Sequence, residues 1–487
     1  MDSGKLSRRE LFGMGLGAAV TTGLAPLAIT GIARAQDTGL QGMEAQGGDR
    51  QAYEASIRQA FVFQNTMMDA YATGSTVRLA QSYSDQALGA TAFTYDNAVS
   101  IHAYLVRCED DDLRRARVLG NGLIYAQATN FPFHDGRFAQ GYFVNTPAAD
   151  GSGAYITPAA SPYYFYTSAV GDQAWAGMAL AQLYRRTGEK KYLTAAILVG
   201  NWIVTNTYNT LGPGGYSFGT TINQYNQSVP STNGKSTEHN IDTYAFFTML
   251  AKLTDGGQAG NGASWKDLAR HALEFVIAMY NPSGGYFYTG TLGDQITINP
   301  TPIPEDVQTW SYLALLDNRY RGTIDWAVNN LQTTDTASAP KSSLTGSEKI
   351  TGMVFDTASL TTTADDPHAV WLEGTAHTIA ALIARVGRGR GGLFGMARDI
   401  RTAMRFLANS RLAQAELGGG QTAGGRPIPL GEGLVASTSV MDTGFGYTYG
   451  PSLHIGATGW YLIAAQAGNP FQLGYGSEGG GDGRGDN

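Results

Sequence analysis

The sequence predicts an all-α fold, an (α/α)6 toroid of six helical hairpins with long aromatic and glycine-rich loops gathered at one end. Three observations predict it. Helical patterns of two kinds alternate along the chain, one apolar all round and one with a charged face. The turn inside a pair is short, as at Thr187-Gly188-Glu189, which makes its two helices antiparallel neighbours. The connection from one pair to the next is long and full of Gly, Pro, Asn and Tyr, in keeping with 64 Gly, 26 Tyr and 19 Phe in 487 residues.

Taken in chain order, helices are expected near 50–73, 95–107, 110–128, 172–187, 189–206, 236–254, 264–280, 304–317, 319–333, 370–386, 391–416 and 452–467. The apolar kind includes Trp175-Ala176-Gly177-Met178-Ala179-Leu180-Ala181 and Thr378-Ile379-Ala380-Ala381-Leu382-Ile383, which must be buried on every side. The amphipathic kind includes Asp112-Leu113-Arg114-Arg115-Ala116-Arg117-Val118-Leu119 and belongs outside. Six inner and six outer helices in alternation close on themselves when the first packs beside the last. Closure lets one domain run from 50 to 470, followed by a Gly-rich, disordered tail over 471–487.

The chain opens differently. Ser7-Arg8-Arg9-Glu10-Leu11-Phe12 precedes a Gly- and Ala-rich apolar run and the small-residue site Ala33-Arg34-Ala35. That is the grammar of a twin-arginine signal peptide over 1–35, with a linker over 36–49, and it predicts a periplasmic or secreted product. The signal carries Lys5, Arg8, Arg9 and Arg34 against Asp2 and Glu10, so removing it takes the formal net charge from −7 to −9. An acidic, weakly charged surface argues against nucleic acid as a partner. Beyond the signal no apolar run reaches the ~20 residues of a membrane span. Cys108 is the sole cysteine, which excludes an internal disulfide and a thiolate metal cluster.

Because each inner helix follows a long loop, the six inner N-termini share one end of the toroid and one cleft. Their first turns contain Tyr95, Asp96 and Asn97; Asp172, Gln173 and Trp175; Glu238, His239 and Asn240; Asp306, Gln308 and Trp310; Trp371, Glu373 and His377; and His454 with Trp460. Five of the six carry a carboxylate. A single acid there is explained by capping and the helix dipole, but four of the seven tryptophans also lie at these openings. Carboxylates among flat aromatics suit glycosidic bond cleavage, which needs a proton donor and a second carboxylate to activate water or attack. Aromatic faces offer platforms for sugar rings, and Asn, Gln and His can bind hydroxyls. Glu238, in Ser236-Thr237-Glu238-His239-Asn240-Ile241-Asp242, is expected to be the general acid. Asp96 and Asp172 are the leading candidates for base or nucleophile, with Asp306 and Glu373 behind them.

The chain resembles the six-hairpin glycosidase superfamily over roughly 50–470. The resemblance is carried by Tyr95-Asp96-Asn97-Ala98, Gly171-Asp172-Gln173-Ala174-Trp175, Ser236-Thr237-Glu238-His239-Asn240 and Trp371-Leu372-Glu373-Gly374. It implies a carbohydrate substrate bound in the central cleft.

A glycoside hydrolase acting on a neutral sugar is therefore expected, without cofactor. A lyase or epimerase on the same toroid would use His102, His239, His377 or His454 as base. It would also need cations for an acidic sugar, and Arg137 and Lys235 are the few in the cleft loops. A non-catalytic glycan-binding scaffold would keep the tryptophans and tolerate loss of the acids. His239 with Asp242, or Glu373 with His377, is half of a metal site, and no second cluster completes one.

Overall fold

The computed structural model describes residues 44–71, 75–130, 133–159, 165–225, 227–388 and 392–474. The expected signal, most of the linker and the chain beyond Gly474 lie outside the described residues. Twelve α-helices stand among those described, each within a few residues of its expected place. They are α1 Glu44–Met68, α2 Thr94–Arg107, α3 Asp110–Ala128, α4 Val170–Thr187, α5 Lys190–Thr207, α6 Thr237–Leu253, α7 Trp265–Ala278, α8 Glu305–Leu315, α9 Gly322–Asn330, α10 Leu372–Gly387, α11 Gly392–Glu416 and α12 Ile455–Ala465. Helix α1 starts at Glu44, so it takes in the end of the segment expected to be a linker.

Local chemistry sets the ends. Ser264 Oγ accepts the Asp267 N–H at 3.1 Å to start α7, and Gly188 at φ +70° ends α4 in the left-handed conformation. In α7 the buried residues Trp265, Leu268, Ala269, Ala272, Phe275 and Val276 repeat at helical spacing, whereas every residue of α12 is buried. The third hairpin departs from the short-turn expectation: its connection runs from Thr254 to Ser264 and is held by a Gln258–Ser264 bridge.

The even-numbered helices form the inner ring. Helix α2 packs on α4, α4 on α6, α6 on α8, α8 on α10, α10 on α12, and α12 back on α2. Each outer helix packs on an inner one, and the sixth pair joins the two ends of the chain, α12 with α1. There the Tyr53 hydroxyl donates to Ala465 O at 2.7 Å and Gln64 Nε2 to Ile455 O at 2.8 Å.

Six return segments lace this ring at the N-terminal ends of the inner helices. In each, one backbone N–H is bound by the side chain of the fourth residue of the inner helix that follows. Asn97 holds Ala80, Gln173 holds Phe138 and Asn240 holds Tyr216. Gln308 holds Phe287, Thr375 holds Met353 and Thr458 holds Leu434. Two residues further on, a carbonyl accepts the first N–H of the neighbouring inner helix. Ser82 takes that of Ile455, Gln140 that of Thr94 and Phe218 that of Val170; Thr289, Phe355 and Ala436 take those of Thr237, Glu305 and Leu372. Every segment thus bridges two adjacent inner helices and satisfies helix-end donors that have no intrahelical partner.

This corrects one expectation. Asn97, Gln173, Asn240 and Gln308 are fully buried and do not face a sugar. Their amides accept from one backbone N–H and donate to the carbonyl of the same residue. At 3.6 residues per turn, the fourth residue of each helix points away from the face that carries the second and sixth. Asn240→Ala strands the Tyr216 N–H and C=O in the interior, so it should cost about 1–3 kcal/mol in urea denaturation. A cost below about 0.5 kcal/mol would make the clamp incidental.

The sixth residues of α4, α8 and α12 are Trp175, Trp310 and Trp460, which plug the toroid axis. Trp175 lies 5.2 Å from Trp310 and 5.7 Å from Trp460, centroid to centroid, and Phe471 lies 5.4 Å from both Trp175 and Trp310. Phe471 is 3% exposed, so the packed domain extends past the boundary expected at 470. Gln472 Nε2 donates to the Leu313 and Ala314 carbonyls at the end of α8, and Gln182 Nε2 donates to Gln472 O. A cavity of about 140 Å³ beside Phe471 and the C-terminal ends of α6 and α8 lies behind this plug, at the other end of the toroid from the inner N-termini.

Candidate active site

The acids of the cleft come from the second and third residues of the inner helices: Asp96, beside Tyr95, on α2, Asp172 on α4, Glu238 on α6, Asp306 on α8 and Glu373 on α10. On α12 the second residue is Gly456. A Cβ built there would lie 2.5 Å from His454 Cε1, 2.8 Å from Asp96 Oδ1 and 2.9 Å from Glu373 Oε2. These two acids, 277 residues apart in sequence, therefore meet at the one inner helix that offers no side chain. Gly456→Ala places a methyl group between them and should lower turnover by about 10²-fold while the far-UV spectrum stays unchanged. Retained turnover would show that the space between the two acids is not used.

Glu373 is the anchor of a network. The Tyr95 hydroxyl donates to Glu373 Oε1 at 2.5 Å and accepts from Trp460 Nε1 at 2.8 Å. His377 Nε2 lies 3.7 Å from Glu373 Oε1, and its Nδ1 lies 3.2 Å from Glu305 Oε2. His454 stands between the two meeting acids, with Nε2 3.1 Å from Asp96 Oδ2 and Nδ1 3.7 Å from Glu373 Oε2. The Ala457 N–H reaches Nδ1 at 3.2 Å, so in the neutral ring the proton sits on Nε2, toward Asp96. Tyr83 stacks on the His454 ring at 4.1 Å and fixes its plane.

Electrostatics divide the acids into two groups. Burial would raise the Glu373 carboxyl, but His377, His454 and the Tyr95 hydroxyl outweigh it and hold it below its ordinary range. His377 is correspondingly pushed up to about 9 by Glu305 and Glu373, against the effect of burial. His454 is raised by Asp96 and then Glu373. Glu373 is thus a carboxylate at neutral pH. Across the cleft the sign reverses. Burial, then Asp172 and Glu373, push Glu238 up to about 7. Burial and then Asp96 push Asp172 to about 8, and burial, Glu238 and Glu305 raise Asp306 well above its ordinary value. Glu238 and Asp172 are half-buried, whereas Asp96, Asp306 and Glu373 are buried.

All five expected carboxylates therefore converge, but several of the aromatic and imidazole expectations need correction. Trp175, Trp310 and Trp460 form the plug below the cleft and show no free face to a ligand. Trp371 is 3% exposed and covered by Phe355, at 4.7 Å, and Tyr449, at 6.0 Å. Tyr95 and His377 orient Glu373 rather than present a surface. His239 packs at 4.6 Å on Phe218, and burial pushes it down to about 4. His102 meets the Trp175 edge at 5.6 Å as a neutral core residue, pushed to about 3 by burial. Arg137 ion-pairs with Asp135, and Lys235 donates to the Leu211 and Gly214 carbonyls, so both hold loops.

An exposed aromatic ring near the acids comes from elsewhere. The hairpin joining Met441–Asp442 to Thr448–Tyr449 carries Phe445, 44% exposed, and Tyr447, 49% exposed. Burial of the Tyr447 hydroxyl, and then the charges of Glu238 and Asp306, raise its pKa, which places it over the acid group. Glu305, Tyr83, Tyr447 and Gly456 were not singled out by sequence as cleft residues, and Asp242 only as half of a metal site with His239. Asp242 lies four residues after Glu238, a spacing that puts both on one face; the other four carry no comparable signal. Among the described residues no group of three or more His, Cys, Asp or Glu could hold a metal ion, and no helix is long and apolar enough to cross a membrane.

No protein-family model matches the sequence, and no curated protein does. Solved structures do. The chain is similar to a D-mannose isomerase at a TM-score of 0.54 and 12% identity, over 85% of this chain and 95% of that one. It is similar to a glycosidase in complex with glucose at a TM-score of 0.53 and 11% identity, over 88% of this chain and 99% of that one. It is also similar to a family 76 α-mannanase of Bacteroides thetaiotaomicron at a TM-score of 0.50 and 13% identity, over 85% of this chain and 95% of that one. Together with the closed ring of six hairpins, these likenesses show the (α/α)6 toroid fold and assign no family.

Proposed function

We propose that this protein is a glycoside hydrolase of neutral poly- or oligosaccharides, exported by the twin-arginine route, with Glu238 as general acid and Glu373 as its ionised partner. The observation that carries the reading is the unequal setting of two acids in one cleft: Tyr95, His377 and His454 surround Glu373 and favour its carboxylate, whereas burial beside other acids favours the protonated form of Glu238, which is how paired carboxylates divide acid and base roles. Glu238 gives its proton to the glycosidic oxygen as that bond to the anomeric carbon breaks. Glu373, alone or with Asp96 across Gly456, activates water or attacks directly. This reverses the order expected from sequence, because Asp172 and Asp306 hold their protons too firmly to act as bases at neutral pH. A crowd of carboxylates without Lys or Arg among the cleft-facing residues repels an acidic sugar and favours a neutral one.

One observation favours a second reading. His454 and His377 flank the Glu373 carboxylate, an arrangement that also suits proton transfer at a sugar carbon in an epimerase or isomerase. Purified protein lacking residues 1–35 should release reducing ends from a neutral glycan in a broad panel. New ketose or epimer without new reducing ends would establish the second reading, unsaturated products a lyase, and binding without any product a scaffold.

A further inference from the structure

Asp242 is a buried titratable group that the reading above does not use. It sits one turn after Glu238 on the same face of α6, is fully buried, and neither carboxyl oxygen has a hydrogen-bond partner. The Trp175 indole faces it from α4 without satisfying it. The charged and titratable groups around it are Glu238 and His239 on its own helix, Asp172 on α4 and Asp306 on α8. His239 Nε2 and Asp242 Oδ2 both approach the bare Cα of Gly171, at 2.9 and 3.4 Å from a Cβ built there. No cation balances it within this set. An unpaired carboxylate in such a place would cost several kcal/mol. A neutral carboxyl avoids that cost and has an O–H to donate, and the half-buried member of the face, one turn nearer the cleft, is Glu238.

We propose that Asp242 is a positioning residue for Glu238: a protonated carboxyl whose O–H is donated to the Glu238 carboxylate that forms when Glu238 protonates the leaving group. The proposal rests on the acid role of Glu238. At rest both carboxyls hold protons. When the glycosidic C–O bond breaks, the Glu238 proton moves to the leaving oxygen, and the pair keeps the one proton on Asp242, hydrogen-bonded to the new carboxylate. Water supplies hydroxyl to the anomeric carbon, its other proton passes to Glu373, and Glu238 is reprotonated from there or from solvent. Burial, then Glu238 and Asp306, raise Asp242 well above an ordinary carboxyl, in keeping with a proton that stays through the cycle.

The test compares Asp242→Asn, a neutral donor of the same shape, with Asp242→Leu, which has no donor. Carbon-13 NMR of labelled Glu and Asp carboxyls in the signal-free protein, titrated from about pH 4 to about pH 10, reads Glu238 without any substrate. Asp242→Asn should leave its titration within about half a unit of the parent, and Asp242→Leu should raise it by about one unit or more, because the carboxylate loses its donor. On a cleaved glycan, Asp242→Asn should keep kcat within about 3-fold and Asp242→Leu should lose about 10-fold or more at unchanged KM, the alkaline limb of its pH profile moving upward. If Asp242→Leu does not fold, Asp242→Val takes its place. An unmoved Glu238 titration in the donor-free variant, or equal shifts in the two variants, overturns the proposal. Because NMR reads the pair directly, that outcome is distinct from a failure of the hydrolase reading, in which Glu238 itself proves dispensable.

Discussion

Glu238→Gln is expected to lower kcat by about 10²- to 10⁴-fold on any glycan that the parent cleaves, with folding and ligand binding nearly intact. The amide has the shape of the protonated acid and cannot give up a proton. The parent should show an alkaline limb in kcat/KM near the value of about 7 to which burial, Asp172 and Glu373 push this carboxyl. Activity is present below that pH, where the acid holds its proton, and falls above it. In the amide variant this limb should vanish, and a substrate with a good leaving group, which needs little protonation, should recover much of the lost rate. Parental rates on an ordinary glycan would remove Glu238 from the acid role and leave Asp172 as the half-buried, proton-holding alternative.

Much of the fold was legible because it is written in periodicity. The alternation of apolar and amphipathic helices, with long loops between pairs, locates all twelve helices and the end at which the loops gather. Convergence of Asp96, Asp172, Glu238, Asp306 and Glu373 follows from the same alternation, since equivalent positions on six like-oriented helices share one rim. What stayed hidden was which way each residue of a first turn points. Asn97, Gln173, Asn240 and Gln308 look like sugar ligands by composition, yet as fourth residues they turn outward and grip backbone. Trp175, Trp310 and Trp460 look like platforms and are the sixth residues, one turn below the cleft. A one-position ambiguity at a helix start rotates every assignment by 100°, and sequence pattern does not fix starts that finely. A loop residue such as Tyr447 carries no periodic signal, and its local hairpin packs on Phe355, far earlier in the chain.

The same electrostatics that prepare the acids should make the unliganded protein lose stability as pH rises. Asp172 has an ordinary value of 3.8 and a folded value of about 8, and Glu238 goes from 4.5 to about 7. A raised folded pKa means that the native state holds a proton that the unfolded chain releases. The stability this contributes is full below the unfolded value and is lost as pH rises through the folded one. His377, raised from 6.5 to about 9, loses its contribution over the next window in the same direction. Glu373, held low, has the opposite sign, but its loss comes only as pH falls below its ordinary carboxyl range. At about 1.4 kcal/mol per unit, Glu238 by itself accounts for on the order of 3 kcal/mol between pH 4.5 and 7, and Asp172 adds to it over the same span. Buried, neutral His102 and His239 have the opposite sign up to pH 6.5, because the unfolded chain binds protons there that the native state does not. The melting temperature should therefore decline from about pH 6.5 to about pH 8. Asp172→Asn, which freezes the neutral form, should approach the parent as pH falls toward about 4 and melt several degrees higher at about pH 8. Parallel curves for parent and variant would mean that Asp172 ionises freely in the folded state, and the separation of the acids into two protonation groups would fail with it.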